Sequence, residues 1–316
     1  MDAFLLLLLT LVASPCTSLP PPSSRSPSLY GARVRGASNS SFTWQEKYTA
    51  SFVDQFNFFG EQSSLTFQQR YLISLDSWGG PTHPLFVYAG NEGDITLFTN
   101  NTGFLWALAE TMGAMVVFIE HRFYGDSLPY GKDSYLIKNL GVLGIEQALL
   151  DYVQIVASLK ANHSCPDAPV FVWGGSYGGM LAAWARIKYP AVFQGAYASS
   201  APILQIPGLM DPGAYSAVIK STFSRGPNPS APLGIYLGFQ AMLNMSATAA
   251  GRKEISSLLR ICGNPMAKQS DVYSVMGWLS SAIGFVAMAD YRSFLLFAPL
   301  GPPAPCLLSV LSLLFS

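Results

Sequence analysis

The stretch Phe171-Val172-Trp173-Gly174-Gly175-Ser176-Tyr177-Gly178-Gly179-Met180 is the part of the sequence that decides the fold. It begins with apolar and aromatic residues typical of a short buried strand, and the run at residues 180–187 is typical of a helix. Between them, residues 174–178 match G-x-S-x-G in the strand–turn–helix context of a nucleophile elbow. Glycines fit here because side chains would make strand and helix collide. We therefore predict that Ser176 is a nucleophile and that the Tyr177 amide beside it is an oxyanion donor.

The segments on either side of this turn alternate between strand and helix patterns. Continuous apolar runs over residues 84–89 and 114–119 are typical of strands that are buried on both faces. An amphipathic helix is predicted over residues 142–160, and a further short strand over residues 195–198. This alternation predicts an α/β protein with a mostly parallel sheet and helices on both faces.

Beyond Pro202 the pattern changes, because glycines and prolines separate short helical runs and no segment has a strand pattern. We expect a partial helical cap over residues 206–291, inserted above the active edge of the sheet. Residues 292–316 form an apolar tail in which the prolines at positions 299–305 break any helix, and the uncharged apolar run that follows, residues 307–315, is too short to span a membrane. We expect a non-native end there, with an apolar packing segment or a lipid-anchor signal as the alternatives.

The composition narrows the class of protein. Half of the 316 residues are hydrophobic and only 11% are charged, against about 25% in an average protein. The net charge is zero, so nothing favours nucleic acid or an anionic membrane surface as a partner. No cysteine and histidine spacing matches a zinc site, and we expect neither a metal nor a cofactor. The length suits one large α/β domain or such a domain with a cap.

The N-terminus predicts entry into the secretory pathway. Residues 1–18 contain an apolar core followed by small residues, as in a cleaved signal peptide, although no basic residue precedes the core. Residues 19–43 are rich in proline and serine and predict a linker. Loss of Cys16 with the signal leaves an odd number of cysteines, so one thiol is unpaired or pairs with another chain. Four sequons are predicted glycosylation sites: Asn39, Asn100, Asn162 and Asn244.

Several motifs, taken together with the elbow (residues 174–178), resemble one family. They are Gly-Asn-Glu-Gly-Asp at 90–94, Asn-Asn-Thr-Gly-Phe at 100–104, Glu-His-Arg-Phe-Tyr-Gly at 120–125, Glu-Gln-Ala-Leu at 146–149, the elbow with its helix at 174–184, and Ala-Ser-Ser-Ala-Pro at 198–202. This set is similar to the lysosomal Pro-X carboxypeptidases and their relatives, dipeptidyl peptidase II and the thymus-specific serine peptidase. The resemblance covers residues 44–291. One departure is Gln55, which stands where the family usually has a histidine.

The resemblance implies an α/β-hydrolase fold, with its N-terminal part in residues 44–205. It also implies a serine exopeptidase that cleaves peptides next to proline through an acyl-enzyme, in the lysosome or vacuole or outside the cell. Proline-containing peptides are then the partners, and a homodimer is left open. Three alternatives remain: a dipeptidyl peptidase II-like enzyme that releases N-terminal X-Pro or X-Ala dipeptides, a secreted binder without catalysis, and an esterase or lipase that lacks the usual His-Gly-Gly-Gly motif.

The sequence lacks the residues that would activate Ser176 in the usual order. A serine hydroxyl needs a histidine base and an orienting carboxylate, and on this fold both follow the serine in the chain. All three histidines, His83, His121 and His163, precede Ser176. The resemblance implies that acid and base come from C-terminal loops that this chain does not contain. We therefore expect an incomplete fold and an inactive chain, and assign only Ser176 of the triad.

The remaining site residues are expected around this serine. The amides of Gly90 and Asn91, in the loop after the first buried strand, are candidates for the other half of the oxyanion hole. Glu92 and Asp94 in the same loop either face the substrate or orient the loop. His121 directly follows the second buried strand. We expect it beside the site in a structural role rather than as a substitute base, since a base must first have the right geometry.

Overall fold

The computed structural model describes residues 42–226, 228–261 and 266–289. The described residues fall into two compact units, which divide between residues 206 and 207. The predicted signal peptide, most of the linker, the apolar tail and Asn39 lie outside the described residues. Those expectations therefore remain predictions.

The first unit is built on a six-stranded sheet in the order β1-β2-β4-β3-β5-β6. The two pairings that involve β2, with β1 and with β4, are antiparallel, and the other three are parallel. The strands are β1 (Gln45–Phe52), β2 (Thr66–Ser74), β3 (Leu85–Ala89), β4 (Met115–Ile119), β5 (Val170–Gly175) and β6 (Gly195–Ser199). This order, with the elbow directly after β5, is that of the α/β-hydrolase fold and confirms the predicted class.

The centre of the sheet is apolar because both of its faces are covered. Every residue of β3 and β4 is buried, as expected for parallel strands between two helical layers. One face packs against α3 (Ile145–Asn162) and α4 (Tyr177–Lys188), and the other against α1 (Ile95–Thr99) and α2 (Gly103–Met112). Side chains therefore alternate between two separate cores along each strand.

The buried guanidinium of Arg122 connects several segments of the first unit through hydrogen bonds. Arg122 is fully buried and donates to both carboxylate oxygens of Asp151, at 2.7 and 2.6 Å. Its remaining N–H groups donate to the carbonyls of Phe52, Val53 and Val142 and to Gln147 Oε1. Gln55, at the position where the resembling family has histidine, donates to Asp151 Oδ1 at 2.7 Å. The Gln55 amide is thus hydrogen-bonded within a buried polar network, where every polar group needs a partner.

The second unit is helical over its described residues. Its helices are α5 (Ala214–Ser224), α6 (Ala231–Ser246), α7 (Ala249–Leu258) and α8 (Asp271–Ala289). A small core of Ile255, Met266 and Val272 holds α7 against the start of α8. Part of α8, Asp271–Met288, has a mean hydropathy of 1.2 and is long and apolar enough to cross a membrane. Core helices of soluble proteins also meet that criterion.

Surface positions bear on the predicted modifications. Asn100, Asn162 and Asn244 are all exposed, as attachment of a glycan requires. Cys165 is buried, and within the described part of the chain its thiol is free. Glycosylation itself remains a prediction.

Candidate active site

Ser176 occupies the sharp turn between β5 and α4. Its backbone has φ 55° and ψ −123°, a region that non-glycine residues rarely adopt and that costs about 1–3 kcal/mol. The Ser176 N–H donates to the Ser199 carbonyl at 2.9 Å, which fixes the turn to the end of β6. The side chain is exposed at the carboxyl end of the parallel strands. This is the geometry expected of a nucleophile elbow.

Three of the four surrounding glycines are required by close packing. A Cβ atom at Gly174 would collide with the carbonyl of Gly178, and one at Gly179 would lie 2.8 Å from the Ser199 carbonyl oxygen. A Cβ atom at Gly178 would lie 2.6 Å from the Ala89 carbonyl oxygen and collide with the Asn91 side chain. At Gly175 the nearest atom would be 3.9 Å away, so this glycine is not required by space.

The oxyanion donors predicted from the sequence differ in their availability. Tyr177 is the first residue of α4, so its N–H is one of those that a helix leaves without an internal partner. The Gly90 N–H, by contrast, donates to the Ile119 carbonyl at 3.0 Å. Gly90 is therefore committed to holding β3 against β4. Asn91 is the remaining candidate for the second donor.

The side chain of Asn91 braces the elbow from the neighbouring loop. Its Nδ2 donates to the Gly175 carbonyl at 2.7 Å, and its Oδ1 accepts from the Tyr88 hydroxyl at 3.0 Å. The side chain lies in a buried position, with 5% of the residue exposed. The bond from Asn91 to Gly175 was not predictable, because it depends on how β3 and β5 pair.

His121 contacts the residue after Ser176 rather than Ser176 itself. Its Nδ1 lies 2.6 Å from the Arg122 carbonyl, and its Nε2 lies 3.0 Å from the Tyr177 hydroxyl. A carbonyl only accepts, so Nδ1 carries the proton and Nε2 accepts from the tyrosine. Burial lowers the pKa of His121 to about 4. Both ring nitrogens of His121 are therefore occupied, and the imidazole holds the Tyr177 hydroxyl.

The other two histidines lie at the opposite edge of the sheet. His83 precedes β3 and His163 follows α3 ahead of β5, so both flank the amino ends of parallel strands, whereas Ser176 follows a carboxyl end. The His163 ring packs edge-on against Trp78. In the described ranges, no group of three or more histidine, cysteine or acidic residues is arranged to hold a metal ion.

Asp94 and Glu92 have different surroundings. Asp94 caps α1 by accepting from the Thr96 N–H at 2.9 Å, and it pairs with Arg70 at 2.8 Å. Of the two roles considered for it, Asp94 therefore takes that of orienting the loop. Glu92 is exposed. Burial raises the pKa of the Tyr177 hydroxyl, and the negative charge of Glu92 adds to this increase.

A buried carboxylate that the sequence reasoning missed supports this loop. Glu120 is fully buried, and its Oε1 accepts from Arg70 and from the Ile95 N–H, at 2.5 and 3.1 Å. Its Oε2 accepts from the Ser127 hydroxyl at 2.7 Å and from two backbone amides. Burial raises the pKa of Glu120 even so. The network joins β2, the loop after β4 and the first turn of α1, which follows the Asn91 loop in the chain.

Sequence comparisons with known proteins indicate one family of serine peptidases. The family model described as serine carboxypeptidase S28 matches residues 53–293. Lysosomal Pro-X carboxypeptidase of Bos taurus is 41% identical over 91% of this chain and 58% of its own length. The human thymus-specific serine protease is 31% identical over 75% of this chain and 46% of its own. The chain thus spans about half the length of these relatives. Among solved structures, the carboxylesterase EstE1 matches 58% of this chain and 53% of its own, with 14% identity and a TM-score of 0.37.

Proposed function

Because the chain belongs to the serine carboxypeptidase S28 family, we propose that it is built as a serine exopeptidase that cleaves peptides next to proline. The observation that carries the proposal is the strained backbone of Ser176, at φ 55° between β5 and α4. Strain of this kind is retained where it presents a reactive group. The similarity to Pro-X carboxypeptidases favours cleavage that releases the C-terminal end of a peptide, over the alternative of a dipeptidyl peptidase that releases N-terminal dipeptides.

The chemistry that this geometry supports is acyl transfer. Ser176 Oγ would attack the carbonyl carbon of the proline residue as its hydroxyl proton passes to solvent water or hydroxide, and the Tyr177 and Asn91 amides would hold the resulting oxyanion. Collapse of that intermediate breaks the C–N bond, and the leaving amine takes up a proton. Water then attacks the ester carbonyl and releases Ser176. The amide of Tyr177 also lies at the positive end of α4, which favours the oxyanion.

We further propose that the protein with these 316 residues hydrolyses peptide substrates very slowly. Each of its three histidines precedes Ser176 in the chain, and the ring nitrogens of His121 already have partners. Without a base, only the residual effect of the oxyanion hole and binding remains, about 10³–10⁴-fold over water. The relatives named as lysosomal support a lysosomal location within the secretory pathway.

A fluorophosphonate probe tests these proposals on the purified chain. The variant Ser176→Ala removes the nucleophile, and Ser221→Ala, an exposed serine of α5, is the control. We expect slow labelling that maps to Ser176 by peptide mass spectrometry and accelerates from pH 8 to pH 10, because hydroxide then replaces the missing base. A peptide ending in Pro-Phe should stay uncut.

The outcomes separate the two proposals. Absence of labelling at Ser176 even at pH 10, or equal labelling of other serines, would overturn its role as nucleophile. Rapid labelling near pH 5–7, with peptide cleavage that Ser176→Ala abolishes, would overturn the slow turnover and keep the nucleophile. Release of N-terminal dipeptides in that case would favour the dipeptidyl peptidase alternative.

A further inference from the structure

The side chain of Asn91 links the two loops that would form the oxyanion hole. The backbone ladder between β3 and β5 ends at the pair Tyr88 and Trp173. Beyond it, the chain of β3 turns away into the Asn91 loop and the chain of β5 turns into the elbow. The Asn91 Nδ2 bond to the Gly175 carbonyl, at 2.7 Å, joins the two segments past the end of the ladder.

This side chain is itself held in place. Its Oδ1 accepts from the Tyr88 hydroxyl, so the amide has one defined orientation. Gly178 on the other side has no Cβ atom, and one built there would collide with Asn91 Oδ1. Asn91 is therefore enclosed between the last residue of one strand pair and the first turn of α4.

We propose that Asn91 is a positioning residue, whose side chain sets the spacing between its own backbone amide and that of Tyr177. Oxyanion donors act only within about 2.7–3.1 Å of the developing charge, so both loops must keep a fixed separation. The amides follow different strands, and the Asn91–Gly175 bond spans directly between those strand ends. This inference rests on the proposed function for its catalytic meaning, but the bond itself is testable without catalysis.

The test compares Asn91→Asp with Tyr88→Phe. The introduced carboxylate has the shape of the amide and still accepts from Tyr88, but once ionised it cannot donate to Gly175. Tyr88→Phe removes the hydroxyl that orients the amide and leaves the Nδ2 donor, so it should have a smaller effect of the same kind. Both variants keep the backbone amide of Asn91.

The first measurement is amide hydrogen exchange by mass spectrometry at pH 7. The Ser176 N–H, bonded to the Ser199 carbonyl, reports directly on the elbow. We expect peptides that cover residues 174–181 to exchange about tenfold faster in Asn91→Asp, with exchange in α3 unchanged. The difference from the original chain should shrink at pH 4 and below, where the introduced carboxyl is protonated and donates again. A purely space-filling role would not show this recovery.

The second measurement is the residual hydrolysis of an activated p-nitrophenyl ester. We expect kcat to fall by about tenfold or more in Asn91→Asp, with little change in KM, because a misplaced donor weakens the transition state alone. If the original chain shows no hydrolysis above buffer, the fluorophosphonate labelling at pH 10 decides on the proposed function, and the exchange data decide on the positioning role.

Three results would overturn the inference. They are unchanged exchange over residues 174–181 in Asn91→Asp, a uniform increase over the whole chain, and no recovery at low pH. If Asn91→Asp fails to fold, Tyr88→Phe takes its place, and unchanged elbow exchange in that variant refutes the role.

Discussion

The stability of the first unit should depend on pH through His121. This imidazole is 1% exposed, and burial is the main reason that its pKa falls from 6.5 to about 4. The Arg122 charge lowers the pKa further, whereas the hydrogen bond to the Arg122 carbonyl raises it. The Tyr124 ring packs edge-on against the imidazole, and the Tyr177 hydroxyl donates to it. Acidification must therefore charge a group that the fold keeps neutral.

The sign and size follow from the proton balance. Between pH 6.5 and about 4 the unfolded chain binds a proton at this position and the folded chain does not. The stabilisation is thus fully present above pH 6.5 and is lost as the pH falls through this window. At 1.36 kcal/mol per pKa unit, the shift corresponds to a loss of about 3 kcal/mol from the free energy of unfolding.

Urea unfolding at pH 7, 6, 5 and 4 measures this loss against His121→Gln. The glutamine keeps an acceptor for the Tyr177 hydroxyl but does not titrate, so its packing cost is the same at every pH. Other acids, including Asp151 and Glu120, are present in both proteins and cancel in the difference. We expect the original chain to lose about 3 kcal/mol relative to the variant between pH 7 and pH 4. Parallel stability curves for the two proteins would refute the reasoning.

Four further substitutions should affect stability to different extents, each measured as a change in urea midpoint. Gly178→Ala should lower the free energy of unfolding by about 1–3 kcal/mol or more, because its methyl group would meet a backbone oxygen. Gly175→Ala has open space and should lower it by under about 1 kcal/mol. Equal losses in the two variants would contradict the packing argument. Asp151→Asn should cost about 3–5 kcal/mol by leaving the buried charge of Arg122 without its partner, and a neutral result would show that the ion pair is replaceable. Thr248→Ala should cost about 1 kcal/mol from the second unit, since its hydroxyl caps α7; no change would mean that the cap is unused.

The elbow and the central strands were predictable because each is encoded locally. Glycines on both sides of Ser176 leave few other turns, and the apolar runs of β3 and β4 have the length of buried strands. These features need no knowledge of which distant residues meet.

The supporting contacts were not predictable because they join residues far apart in the chain. The sequence does not reveal that the Gly90 N–H donates to the Ile119 carbonyl, since that bond depends on the register of β3 against β4. Arg70 and Glu120 meet because of the register of β2 against β4, which the sequence does not reveal either. Gln55 could be identified as a departure from the family pattern, but only the structure shows it donating to Asp151.

The central place of β3 has a consequence for the nascent chain. Its five buried residues, Leu85–Ala89, leave the ribosome before either neighbour, since Met115–Ile119 and Val170–Gly175 are made later. At synthesis rates of about 5–20 residues per second, β3 waits on the order of ten seconds for its second partner. Until β5 is made, the β5-facing edge of this uncharged apolar segment stays unpaired, which makes it a natural binding site for a chaperone.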